Sequence, residues 1–247
     1  MINSSFSSSS KPFQVWVVAA CFNEEAIICD FINRVVALDG VARLVLVDDG
    51  STDATVEKIR AWQENQISEK TLAKVTLVEL TRNFGKEAAM LAGMDHSKGN
   101  CNAVVLIDSD LQHPPELIPS MVAAWLDGAE IVTAVRDDRD QESRLKIATA
   151  AWFYKVFNRL ADSIQLTEGA GDFRLLSAPV VDALIQMREF SRFSKGLVPW
   201  TGYQSVELSY RRTSRLGGQS SWSPLKLWGY ALDGIFSFPA LPLKIWS

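Results

Sequence analysis

Asp108 and Asp110 stand one residue apart at the end of the apolar run Ala103-Val104-Val105-Leu106-Ile107, in the stretch DSDLQHPPE over 108–116. Two carboxylates so close repel each other at neutral pH, so they call for a cation, a shared proton or full solvation. A divalent metal that also grips a phosphate satisfies both acids, and Gln112 adds a neutral oxygen two residues on. A solvated turn of Asp, Ser and Pro is the plainer account of the same residues. Pro114-Pro115-Glu116 then gives a rigid exit into a helix expected near Leu117. His113 borders this loop as a residue that shapes it, and with His96 far away and expected on a helix surface, no zinc site arises.

To place such a pair usefully, the chain needs a strand that delivers it to a crevice. Strand-like runs recur at Gln14 to Ala20, Leu44 to Val47, Val75 to Leu80, Ala103 to Ile107 and Ile131 to Val135, with helical segments between the first four and before the fifth. That alternation predicts an α/β fold with a mostly parallel, doubly wound sheet. Each of the first four runs leads into polar residues: Asn23-Glu24-Glu25, Asp48-Asp49-Gly50-Ser51, Arg82-Asn83-Phe84-Gly85-Lys86 and the Asp108 segment. In such a sheet the carboxyl ends of neighbouring strands line one crevice, so these clusters are expected to converge. The first strand is not followed by GxGxxG, which removes the main signal for a dinucleotide cofactor.

Composition sets the bounds. With 247 residues, 47% hydrophobic and 22% charged, the chain is long enough for one large α/β domain. A net charge of −4 gives no general drive towards nucleic acid, and none is expected as a partner. Cys21, Cys29 and Cys101 are odd in number and lie in or beside apolar segments, which predicts reduced thiols and a cytoplasmic setting. The opening MINSSFSSSS reads as a flexible tail over 1–12, and no stretch of about 18 apolar residues appears.

Other residues have two readings each. Asp48-Asp49-Gly50-Ser51-Thr52-Asp53 opens a helix that Ser51 or Thr52 would cap, but capping does not require two acids before the glycine, and one of them suits the ring N–H of a nucleobase. Lys86 reads as a solvated or helix-capping residue, with a place near a diphosphate as the alternative. Asp172, in Gly169-Ala170-Gly171-Asp172-Phe173-Arg174, satisfies turn amides or serves a reaction. Arg136 and Arg139 read as surface charges on a loop that pair locally with Asp137, Asp138 and Asp140. Residues 145–160 have helical spacing. From Tyr210 onward the chain is basic and then aromatic, ending in Trp222, Lys226, Trp228, Tyr230, Lys244 and Trp246, a composition suited to a membrane interface or to packing on the domain.

Taken in order, VVAACFNEE, LVDDGSTDAT, DSDLQHPPE, GDFRLLS and RLGGQSSW resemble the family 2 glycosyltransferases of the GT-A fold. Among these the chain is similar to the polyprenyl-phosphate hexosyltransferases, dolichyl-phosphate mannose synthase and, more closely, the bacterial bactoprenol glucosyltransferases. The likeness runs from about Val15 to Trp246.

The resemblance implies metal-dependent, inverting transfer of a hexose, glucose from UDP-glucose before mannose or an amino sugar, onto undecaprenyl phosphate at the cytoplasmic membrane face. Ala20, Phe22, Glu24, Val47, Asp49, Asp108 and Ser109 would hold the nucleotide sugar. Asp108, Asp110 and Gln112 would hold Mg²⁺ or Mn²⁺. Arg136, Arg212 and Arg215 would face the acceptor phosphate, with Asp172 at the reaction centre. Three positions depart from the family pattern: Ala20 stands for Pro, Phe22 for Tyr, and Ser221 for the lysine of R-x-x-G-x-S-K. The implied organisation is a catalytic domain over 13–221 and an amphipathic, membrane-facing segment over 222–247, which in the bactoprenol enzymes leads into spanning helices absent from this sequence. The partners implied are a UDP-hexose, polyprenyl phosphate and a membrane surface, with room for a homo-oligomer. Rival classes are a haloacid-dehalogenase-type phosphatase, which expects Thr or Val where Gln112 stands, and a non-catalytic sugar-nucleotide-binding domain.

Overall fold

The computed structural model describes residues 13–69, 74–136, 169–189 and 192–210. In chain order the elements are β1 (Val15–Cys21), α1 (Ile28–Val36), β2 (Val41–Asp48), α2 (Thr55–Glu69), β3 (Lys74–Glu79), α3 (Lys86–Ser97), β4 (Ala103–Asp108), a 3-10 turn (Pro115–Leu117), α4 (Ile118–Leu126) and β5 (Ile131–Arg136). There follow β6 (Ala170–Ser177), α5 (Ala178–Gln186), α6 (Ser194–Trp200) and β7 (Ser205–Tyr210). The five strand-like runs are all strands, and the helix after the double proline begins at Ile118 behind its 3-10 turn. The helical stretch 145–160 and the segment 222–247 lie outside the described residues.

The seven strands form one sheet in the order β3-β2-β1-β4-β6-β5-β7. Strands β1 to β4 are mutually parallel where they pair, β7 pairs parallel with β5, and β6 runs antiparallel to both β4 and β5. The mostly parallel expectation therefore holds, with one reversed strand in the middle. The apolar content of β1 and β4 follows from this placement, because a central strand covered on both faces needs side chains that leave water in both directions. Val15, Val17 and Ala19 join one core with Phe31, Ile32 and Met121, whereas Trp16 and Val18 join the opposite core with Met90, Met94 and Leu184. Helices thus cover both faces, α1 and α4 on one and α3 and α5 on the other.

Gly93 shows how closely α3 sits on the sheet: a Cβ there would lie 2.2 Å from Val18 Cγ1. That close approach fixes where the first residue of α3, Lys86, reaches relative to the strand ends. Cys21 is buried, Cys29 and Cys101 are half-buried, and all three are free thiols. Among the described residues no helix is long and apolar enough to cross a membrane.

Candidate active site

At the carboxyl edge of the sheet the polar clusters are stitched to one another. Asn23, with φ of 56°, gives its backbone N–H to Ser51 Oγ (2.9 Å) and accepts from Thr52 N through Oδ1 (2.8 Å). Glu24 N donates to Thr55 Oγ1 (2.9 Å), and Lys58 Nζ donates to Glu25 O (2.8 Å). Ser51 and Thr52 therefore do not cap α2 as expected; that work falls to Asp53, whose Oδ1 accepts from Thr55 N at 3.0 Å. The helix begins three residues later than Thr52, which frees the two hydroxyl residues to tie the β2 loop to the β1 loop.

The acids of the β2 loop divide their roles. Asp48 Oδ2 accepts from Gly50 N and Ser51 N, closing the turn. Asp49, only 3% exposed, accepts from Phe84 N at 2.7 Å and Gly85 N at 2.9 Å, so its carboxylate fixes the loop that precedes α3. Gly50, directly after the two acids, is required where this loop meets the Arg82 backbone: its φ is +72°, and a Cβ there would lie 2.5 Å from the Arg82 carbonyl carbon. Beside these loops an open cleft of about 680 Å³ is lined by Phe22, Asp48, Gly50, Glu79, Arg82 and Asn83, among others. Phe22 is exposed, Ala20 and Glu24 are partly so, and Val47 is buried within the sheet.

Gly85 hands the chain directly to Lys86, whose ammonium is the centre of the site. Lys86 Nζ lies 2.7 Å from Asp108 Oδ1 and 2.9 Å from Asp108 Oδ2, and donates to Asp172 Oδ2 at 2.6 Å. Neither the solvated nor the capping reading of Lys86 survives. What sequence reasoning lacked was the spatial neighbour: Asp108 and Asp172 are 22 and 86 residues away along the chain. Asp172 itself sits inside β6 rather than in a turn, and its carboxylate meets an ammonium instead of turn amides. Its Oδ1 is buried with no hydrogen-bond partner.

The charges respond to this arrangement. Burial alone would raise the pKa of Asp108, but the Lys86 charge, helped by His113, overrides it and holds the carboxyl below its ordinary range. Asp172 is likewise opposed by burial and lowered by Lys86 and Lys195. Burial works to lower the Lys86 pKa, and the two carboxylates push it up instead. Next along α3, Glu87 is pushed up by burial and by the charge of Asp172, and it accepts from both Ser194 N and Ser194 Oγ, which pins α6 to the start of α3.

Around Asp108 the remaining loop residues are tightly held. Ser109, 2% exposed, donates its hydroxyl to Ala20 O at 2.9 Å. Asp110 Oδ1 accepts from Gln112 N at 3.0 Å, and Leu111 between them takes a φ of 56°. Gln112 is largely buried at 7% exposure. The three candidate metal residues thus belong to one compact loop, although among the described residues no three His, Cys, Asp or Glu side chains gather as a ready metal cage. Arg136 ends β5 and is the register partner of Tyr210 at the end of β7. Arg139, Arg212, Arg215 and Ser221 lie outside the described residues.

Comparison with known proteins gives consistent matches. The sequence profile described as Glycosyl transferase family 2 matches residues 16–185. An uncharacterised glycosyltransferase of Synechocystis sp. is 45% identical over 205 residues, covering 83% of this chain and 61% of that protein. A bactoprenol glucosyl transferase of Shigella phage SfX is 40% identical over 238 residues, covering 95% of this chain and 75% of the relative. This chain therefore spans about three-fifths to three-quarters of the length of these relatives. Among solved structures, a mannosyltransferase of Pyrobaculum calidifontis in complex with GDP-Man and Mn²⁺ superposes with a TM-score of 0.59 at 19% identity, over 85% of this chain and 59% of that one. Glucosyl-3-phosphoglycerate synthase of Mycobacterium tuberculosis, in complex with Mn²⁺, UDP-glucose and phosphoglyceric acid, gives 0.54 at 22% identity, over 90% and 77%. At such identities these two speak for the fold alone.

Proposed function

The chain belongs to glycosyl transferase family 2, and from that premise we propose that it moves a hexose, glucose from UDP-glucose, with inversion onto undecaprenyl phosphate at the cytoplasmic face of a membrane. Support for the acceptor and the sugar comes from the bactoprenol glucosyl transferase of phage SfX and its homologue in Escherichia coli, 39% identical over 238 residues. The observation that carries the reading is the meeting of Asp108, Lys86 and Asp172 at the edge where the β1 and β2 loops also converge. That edge offers an open cleft for the nucleoside beside a charged cluster suited to a diphosphate.

The donor set fits a divalent metal. Asp108, Asp110 and Gln112 offer only oxygen, which suits Mg²⁺ or Mn²⁺. Asp172 Oδ1, buried and without a hydrogen-bond partner, leaves a further oxygen acceptor open beside that donor set. When bound, the cation neutralises charge that develops on the leaving diphosphate.

The side chains do the rest. Asp49 clamps the Phe84–Gly85 amides and thereby sets the position of Lys86. Lys86 keeps two acids close together that would otherwise repel, and it supplies a positive charge next to any phosphate that enters. Asp172, held ionised by Lys86 and Lys195, is a weak proton acceptor. An acceptor phosphate is already anionic near neutrality and needs no strong base, so Asp172 is assigned to orientation. Arg136, with Arg212 and Arg215 downstream, is assigned to the acceptor phosphate, which a guanidinium holds in two places.

The test supplies radiolabelled UDP-glucose, UDP-amino sugars and GDP-mannose, each with undecaprenyl phosphate and Mn²⁺ or Mg²⁺, and follows label into the organic phase. Lipid-linked glucose, lost on chelation, is the expected result. No lipid product from any donor would overturn the acceptor, and release of phosphate without lipid would point to hydrolysis.

A further inference from the structure

We propose that Tyr210 and His113 form a positioning pair that aims Asp108 at the divalent cation, an inference that rests on the metal-assisted reading above. His113 follows the candidate metal loop directly, and its side chain is 13% exposed. Its Nδ1 lies 2.6 Å from the Tyr210 hydroxyl, and its Nε2 faces Asp108 Oδ2 at 3.7 Å. The ring is fixed in place by Phe173 and Tyr210, with centroids at 5.5 Å and 5.7 Å. Tyr210 in turn meets Phe173 edge-on at 6.3 Å.

A neutral imidazole has one donor and one acceptor, and an ionised carboxylate can only accept, whereas a tyrosine hydroxyl can donate its hydrogen to a ring nitrogen. With Tyr210 donating to Nδ1, the ring proton resides on Nε2 and points at Asp108. At 3.7 Å this contact is electrostatic, and a shift of less than about 1 Å makes it a hydrogen bond. Asp108 is then held from two sides, by Lys86 on both oxygens and by His113 on Oδ2. Carboxylates that ligate metals are commonly oriented by such outer partners. The brace reaches far: Tyr210 ends β7, at the sheet margin, 97 residues from His113.

The experiment measures Mn²⁺ binding by the loss of its free electron paramagnetic resonance signal, with UDP present, for the wild type, Tyr210→Phe, His113→Gln and the double variant. Tyr210→Phe keeps the ring packing and removes only the hydroxyl, and its Mn²⁺ dissociation constant should rise about tenfold. Glutamine places an amide N–H where Nε2 stands and has no tautomer to fix, so adding Tyr210→Phe to His113→Gln should change Mn²⁺ binding no further. An unchanged dissociation constant in Tyr210→Phe, even with a lowered Tm, overturns the proposal and leaves Tyr210 as packing. So does an equal loss with and without His113→Gln. Absence of Mn²⁺ uptake by the wild type would instead refute the metal-assisted reading on which the pair depends.

Discussion

Replacing Lys86 by Met removes the one ammonium shared by Asp108 and Asp172 while keeping most of the side-chain volume. The two bonded oxygens stand at most about 5.5 Å apart, the sum of their distances to Nζ, so at an effective dielectric near 20 their bare repulsion is about 3 kcal/mol. Breaking a buried pair by deleting one partner costs roughly the same, about 3–5 kcal/mol. The three side chains keep 25–32% of their surface, so the lower end applies. For a chain of this size about 3 kcal/mol corresponds to a fall in Tm of roughly 6–12 °C. A divalent cation should restore most of it, because at one hundred times its dissociation constant a ligand adds about 2.7 kcal/mol. Thermal unfolding followed by circular dichroism, with and without saturating Mn²⁺, therefore has a defined outcome: a large loss in chelator and a larger gain from Mn²⁺ than the wild type shows. If Lys86→Met unfolds at the wild-type temperature in chelator, or if Mn²⁺ stabilises both proteins equally, the account of Lys86 as the internal counter-charge of this site is wrong.

Three further outcomes are expected. Asp172→Asn should leave the dissociation constant for UDP, read by calorimetry, within about threefold of wild type while kcat falls by about a hundredfold, as expected for a lost orienting group; an equal loss in both would mean Asp172 belongs to the donor site. Gly50→Ala should cost about 2–3 kcal/mol in urea unfolding, because its φ of +72° and the 2.5 Å approach to Arg82 both resist a Cβ; a change under about 0.5 kcal/mol would show that the loop relaxes freely. The folded-state pKa values of Asp108 and Asp172 lie below the ordinary 3.8 and that of Lys86 above 10.5. Their stabilisation is therefore complete between those limits, is lost as pH falls through the lowered carboxyl values, and is lost on the alkaline side only as pH rises through the raised lysine value. The Tm difference between wild type and Lys86→Met should be largest from about pH 7 to about pH 9, shrink as pH falls and a proton neutralises one of the two acids the variant leaves unpaired, and be small below about pH 4; a difference that stays unchanged from about pH 9 to about pH 4 would contradict the assignment.

The strands that deliver the site were readable because their signal is local. Ala103 to Ile107 and Val15 to Ala20 are apolar on both faces, and only a covered central strand needs that. β6 was not legible as a strand, since Gly169 and Gly171 mimic a turn, and its burial is earned only by insertion between β4 and β5. The exposed, polar β7 carries little apolar signal of its own and is held by pairing with β5.

By itself the sequence determined the α/β class, the placing of Asp108 and Asp110 at a strand end, and a family membership carried by short motifs whose residues are adjacent in the chain. Only the tertiary structure decided who neutralises those acids. Electrostatic partners are set by distance in space, and the order β1-β4-β6, with α3 packed through Gly93 onto Val18, is what brings Lys86 between Asp108 and Asp172 and Tyr210 up to His113. No spacing rule along the chain encodes those meetings, because sheet order and register are fixed by the burial of whole faces and not by the charged residues that the folding then confronts.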